Sequence, residues 1–190
     1  MGFLDALFGG GRKLKGPAPD RLFAMTTAVV TLEVELGMRH RGVAGIVFQP
    51  LATGDFKQIL DETNELLRGA AEETGTTVSE ASDEFGYRWV ILRDDDFEDL
   101  VVALNTVSTQ LQGGGYGDRL LCAVFAFEEE GRPVYFIYNF KRGLFYPFVP
   151  APGEKERDNE RELRLKAQLE KELPIEPELE RWFPLWEIPL

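Results

Sequence analysis

Residues 132–150 read RPVYFIYNFKRGLFYPFVP and carry seven aromatic side chains in two strand-like runs, about 133–140 and 144–149, around the basic turn Lys141, Arg142, Gly143. Tyr, Phe, Val and Ile at this density suit a pleated, half-buried surface, and Gly suits a hairpin position that needs positive φ. The stretch predicts an antiparallel hairpin inside a sheet, with Phe136, Tyr138 and Phe148 buried. Left outside, the rings would expose an apolar patch of several hundred Å².

Upstream, 119–128 is an apolar strand turned into the hairpin by EEEGRP, and 96–112 is the clearest helix, with Phe97, Leu100, Val101, Leu104, Val107 and Leu111 on one face. Residues 76–81 and 87–93 pair as strands around SDEFG. A helix over 55–71 turns Phe56, Ile59, Leu60, Thr63, Leu66 and Leu67 inward and closes at Gly75, and 43–51 is a short buried strand. Two periodicities compete before it. Leu22, Met25, Val29, Leu32 and Leu36 fall at helical spacing, whereas Val30, Leu32, Val34 and Leu36 alternate with polar residues as in a strand; the helix is preferred.

Downstream, a charged helix over 159–173 buries Leu165, Leu169 and Leu173. Asn159 and Glu162 suit a capping box, and Glu160 with Arg164 and Glu162 with Lys166 are i,i+4 pairs on a solvated face. The Pro-punctuated tail with Trp182, Phe183 and Trp186 is too apolar to stay free, so it straps back across the domain or docks on a second subunit.

Strands paired locally, with helices between them, indicate a single α+β domain with a mainly antiparallel sheet of five or six strands and helices packed on it. Two arrangements fit: a ferredoxin-like βαββαβ core over 43–128 with an added hairpin, or a secretion-chaperone-like layout with helices over one face of a bent sheet. Either leaves a sheet edge or face open to a partner chain.

The domain proper spans 20–190, preceded by a distinct segment and linker over 1–19. Phe3, Leu4, Leu7 and Phe8 fall on one side of a helical wheel, and Arg12, Lys13 and Lys15 follow. With three cations against Asp5, the first 16 residues balance at +2 within a total of −12, which leaves −14 for the rest. An apolar face followed by cations suits weak peripheral contact with a membrane surface; a terminus without such a role is the plainer alternative. The acidic body argues against nucleic acid as a partner. No apolar run approaches the roughly 18 residues that span a bilayer, no leader pattern opens the chain, and lone Cys122 sits in an apolar run, so the expected place is the cytoplasm.

Four constellations resemble chemistry. Asp94, Asp95, Asp96, Glu98 and Asp99 could hold a hard cation, but they stand where a helix begins and acids cap it. GGGYGDR over 113–119 contains glycines, yet it follows a helix and leads into a strand, opposite to a phosphate-cradling loop. His40, between Arg39 and Arg41, has no partner spaced for a triad or a zinc site and reads as a solvated loop residue. The fourth combines steering by Lys141 and Arg142 with anchoring by Tyr138, Phe140, Phe145 and Tyr146, and outlines a protein-binding patch. No catalytic group, metal site or cofactor site is expected. A small-ligand or metal-binding sensor, using a pocket under the hairpin or the 94–99 acids, is the alternative to a binding module.

The strings GYRWVILRDDDFEDLV, GDRLLCAVFAF, IYNFKRGLFYPFVP, RDNERELRL and ELPIEPELERWFPLW, with the opening MGFLDALFG, resemble the PspA-associated PspAB family across essentially the whole chain. Phe140, where Tyr is commoner, and the glycines at 113–115 depart from its pattern. The resemblance implies a non-enzymatic accessory protein, or adaptor, of a phage-shock-type envelope stress response. It implies binding at the cytoplasmic face to PspA, a coiled-coil membrane-remodelling protein, and to an HtpX-type membrane peptidase. A homodimer is left open, and no catalytic residue carries over.

Overall fold

The computed structural model describes residues 21–190. Its helices and strands follow in the order α1 (Ala24–Val34), β1 (Arg39–Phe48), α2 (Gly54–Thr74), β2 (Thr77–Ser82), β3 (Arg88–Arg93), α3 (Phe97–Gly113), β4 (Leu120–Glu129), β5 (Arg132–Asn139), β6 (Leu144–Phe148) and α4 (Asn159–Leu169). The strands form one six-stranded antiparallel sheet in the order β2-β3-β1-β4-β5-β6. With α2 and α3 between them, β1 to β4 make the split βαβ pattern. Strand order thus decides for the ferredoxin-like core, and β5 and β6 extend it beyond β4.

The local signals act as the residues require. Thr53 caps α2 by accepting from the Phe56 N–H, and Gly75 ends it at φ 87°. In α1 the helical period wins, because Met25, Ala28 and Leu32 all reach the core while Val30 and Val34 turn outward. Two boundaries move by four residues: α4 ends at Leu169 rather than 173, where the chain turns toward Pro174, and the other is the start of β1. β1 starts at Arg39 rather than 43, because Gly42, at φ 60°, makes a bulge that lets Arg39 pair with Glu128 and Ala44 with Phe125. The backbone of Asp94 lies so close that a Cβ at Gly42 would meet its carbonyl oxygen at 2.9 Å.

The sheet has two buried faces. Ala44, Ile46, Phe48, Phe125, Phe127, Phe136, Tyr138 and Phe145 point into a core closed by α1 to α4. The opposite face carries Val43, Val47, Trp89, Ile91, Val124, Ile137, Tyr146 and Phe148, and it is closed by the chain after α4, through Trp182, Leu185, Trp186, Ile188 and Leu190. The tail is therefore an intramolecular strap. It leaves α4 beside β6, where the Phe145 N–H donates to Pro174 O and the Glu176 N–H to Phe145 O, each at 2.8 Å. That pairing satisfies an edge strand that would otherwise present open backbone groups.

Gly45 fixes how closely the strap can lie. A Cβ there would stand 3.1 Å from Leu190 Cδ2 and 3.3 Å from Trp89 Cε3, so a side chain at this position must push both aside. Gly45→Val is expected to push the strap off this end of the sheet, cost about 1–3 kcal/mol as other overpacked sites do, and lower the melting midpoint by several degrees. Thermal circular dichroism checks this. A midpoint equal to that of the wild type would mean that Leu190 yields freely.

Candidate functional site

The acid cluster is a helix start. Asp96 caps α3 by accepting from the Glu98 N–H at 2.8 Å, and Asp94 accepts from the Asp96 N–H at 2.8 Å and from the Thr76 hydroxyl. Burial, with Asp96, Asp94 and Glu98 nearby, raises the Asp99 carboxyl above its ordinary value. Among the described residues no group of three or more His, Cys, Asp or Glu side chains could hold a metal ion. The glycines after α3 end that helix. Gly114 also lies against α2, for a Cβ there would run into Ile59 Cδ1. His40 is not a loop residue: it is half-buried in β1, edge-on to Phe97, with Nδ1 accepting from the Gly42 N–H. The bulge that lengthens β1 carries it into the sheet.

The hairpin is where it was expected, with Phe136, Tyr138 and Phe148 fully buried. Its aromatic residues do not form a surface, however. Tyr138, Phe140 and Phe145 are completely buried under the helices and Tyr146 is buried under the strap, so all four rings of the expected patch are core. Period-2 alternation sends β5 and β6 side chains to two faces, and both faces are covered. Arg142 is also engaged: its Nε and Nη2 reach Glu176 Oε2 and Oε1 at 2.8 and 3.1 Å, a two-pronged pair. Lys141 alone of the six expected contact residues stands exposed. Phe3, Leu4, Leu7, Phe8, Arg12, Lys13 and Lys15 lie outside the described residues.

Two buried carboxylates tie the strap and α4 to the hairpin, and neither was legible in the sequence. Glu176, 2% exposed, takes Arg142; burial pushes its carboxyl up, but the Arg142 hydrogen bonds, the Glu178 N–H and the Arg142 and Arg181 charges outweigh it and hold it below its ordinary value. Glu162, 1% exposed, does not pair with Lys166. It accepts from the Val149 N–H and from Arg157, and burial wins over those partners to raise its carboxyl. The cap of α4 is Asp158, which accepts from the Arg161 N–H, rather than Asn159. Glu160 and Arg164 do pair. An acidic residue on a charged helix carries no signal of inward orientation when its partner, Arg157, precedes the helix.

A cavity of about 460 Å³ opens between the β2–β3 turn and the strap. Its floor is Val47, Trp89, Leu121 and Cys122, one wall is Asp83, Glu84, Phe85 and Tyr87, and the other is Pro184 to Glu187 with Pro189. Burial pushes the Cys122 thiol up to about 12, which keeps it protonated and unreactive at neutral pH. A second hollow, about 390 Å³, lies at the start of α2 beside Lys57 and Arg88.

The family model for PspA associated protein B matches residues 1–190, the whole chain. The chain belongs to this PspAB family. No curated protein and no solved structure matches it. For a PspAB protein the association with PspA directs attention to exposed surface. α1 holds the clearest example, since Phe23, Thr27, Val30 and Val34 recur at i, i+4, i+7 and i+11, and the described residues leave Val30 59% and Val34 78% exposed. The hairpin turn adjoins its start, where Arg21 Nη1 lies 3.5 Å from Gly143 O. Lys141 belongs to that turn, and Arg21 precedes the first stripe residue, Phe23, by two positions.

Proposed function

We propose that this chain is a non-enzymatic adaptor of a PspA-type envelope stress response, working at the cytoplasmic face of the membrane and binding PspA through the outer face of α1 and the adjoining hairpin turn. The match of the whole chain to the PspA associated protein B family carries the reading. The surface supports the mode of contact. A helix that has no charged residue between Ala24 and Leu32 and still turns Val30 and Val34 outward suits a helical partner, whose apolar seam would cover them. Lys141 and Arg21 then steer an acidic partner, while the apolar stripe takes the anchoring role expected of the hairpin rings. An HtpX-type membrane peptidase is the second partner, and the 1–16 segment supplies weak contact with anionic lipid. No helix among the described residues is long and apolar enough to cross a membrane.

Surface plasmon resonance with immobilised PspA tests this. Lys141→Glu should slow association and flatten its salt dependence, whereas Val30→Glu with Val34→Glu should speed dissociation about tenfold or more. All three positions are exposed, so melting midpoints should stay within a few degrees of wild type. Unchanged kinetics in both variants would remove this face from the interface, and no binding of wild type would overturn the PspA reading.

A further inference from the structure

We propose that the cavity between the β2–β3 turn and the strap is a binding site for a small organic ammonium ion. Three observations carry this, and none depends on the contact with PspA.

The lining is aromatic and acidic at once. Trp89, Trp186, Tyr87 and Phe85 supply four aromatic rings, and Asp83, Glu84 and Glu187 stand against one Lys155, for a net charge of −2 on the lining. Ring faces attract cations, carboxylates neutralise them, and an apolar floor accepts the alkyl groups that an ammonium carries. An anion would meet the same carboxylates with one ammonium to set against them. At about 460 Å³ the space is that of a small molecule.

Two of the three rim carboxylates, Glu84 and Glu187, are uncommitted. Asp83 is spent on the turn itself, accepting from the Phe85 and Tyr87 N–H groups and from Trp89 Nε1, which fixes the wall and the indole. Glu84 and Glu187 make no hydrogen bond or ion pair among the described residues. Phe85, on the same rim, is 75% exposed.

The backbone is unusual at this cavity. Among the described residues Glu130, Lys155 and Glu187 are the non-glycine residues at positive φ, and two of them, Lys155 at 55° and Glu187 at 58°, line it. L residues rarely adopt this conformation, and such positions cluster at ligand sites.

The test is a titration of the full chain with choline and with its neutral carbon isostere, dimethylbutanol, followed by tryptophan fluorescence and amide chemical shifts. Choline should saturate and bind about tenfold or more tightly than the isostere. Phe85→Ala, whose ring packs on little, should weaken choline with the melting midpoint unchanged, and Glu84→Gln with Glu187→Gln should weaken it about tenfold while leaving the isostere alone. Phosphatidylcholine vesicles form a second arm: sedimentation with them, lost on adding free choline, would assign the headgroup as the source of the ammonium, and its absence beside tight choline binding would assign a soluble ligand. Equal binding of choline and isostere, or choline binding unaffected by both variants, would overturn the proposal, as would a fluorescence response that fails to saturate.

Discussion

A chain ending at Leu173 is expected to lose its folded monomeric state. Removing 174–190 takes away Trp182, which is buried, and Leu185, Trp186, Ile188 and Leu190, which are partly so. Full burial of such side chains contributes about 1.5–3 kcal/mol each, and with partial burial the loss is roughly 5–10 kcal/mol, as large as the whole stability of an ordinary domain. The same deletion uncovers Val43, Val47, Ile91, Val124, Ile137 and Phe148 as one apolar sheet face. It also opens the β6 edge by removing Pro174 O and the Glu176 N–H from Phe145. An exposed apolar face beside an open edge is a template for association. Size-exclusion chromatography with light scattering should show aggregates, and circular dichroism a lost or broadened transition. A monomer with a cooperative transition at the wild-type midpoint would show that the strap covers this face without holding it.

The fold was legible wherever one period dominated. Phe97 to Leu111 repeat on one helical face, and Val134 to Phe148 alternate or run apolar around a glycine turn, so α3, β5 and β6 came out within a residue of their predicted bounds. The start of β1 was hidden because Arg39, His40, Arg41 and Gly42 have the composition of a turn, while a bulge keeps them in the sheet. What the sequence obscured was the number of buried faces. A dense aromatic run reads equally as a core or as an anchor surface with cations beside it, and the outcome turned on residues some 40 positions away, where Trp182 and Trp186 close the second face. The cavity followed the same logic: SDEFG read as a turn, and its meeting with 184–189 exists only in three dimensions.

The Arg142–Glu176 pair makes the last link measurable. Arg142→Ala leaves Glu176 buried without its guanidinium, so the variant is expected to be less stable than wild type at neutral pH, by less than a fully buried pair would lose because the Arg142 side chain is 32% exposed. Its pH dependence has a definite sign. Glu176 sits below the ordinary carboxyl value of 4.5, so its contribution is present above that value and disappears as pH falls through the lower folded value. Urea denaturation at a series of pH values should therefore show wild type and Arg142→Ala converging on the acid side of 4.5. Glu162 acts with the opposite sign. Burial raises its carboxyl, so the folded state holds more protons between 4.5 and the raised value, and stability from this group falls as pH rises across that window. Glu162→Gln should flatten that limb while leaving the acid limb intact, because an amide keeps the shape and loses the titration. An Arg142→Ala deficit that stays the same on both sides of 4.5 would assign the loss to packing of the arginine stem against the strap, and the charge pair would no longer explain how the hairpin and strap are held together.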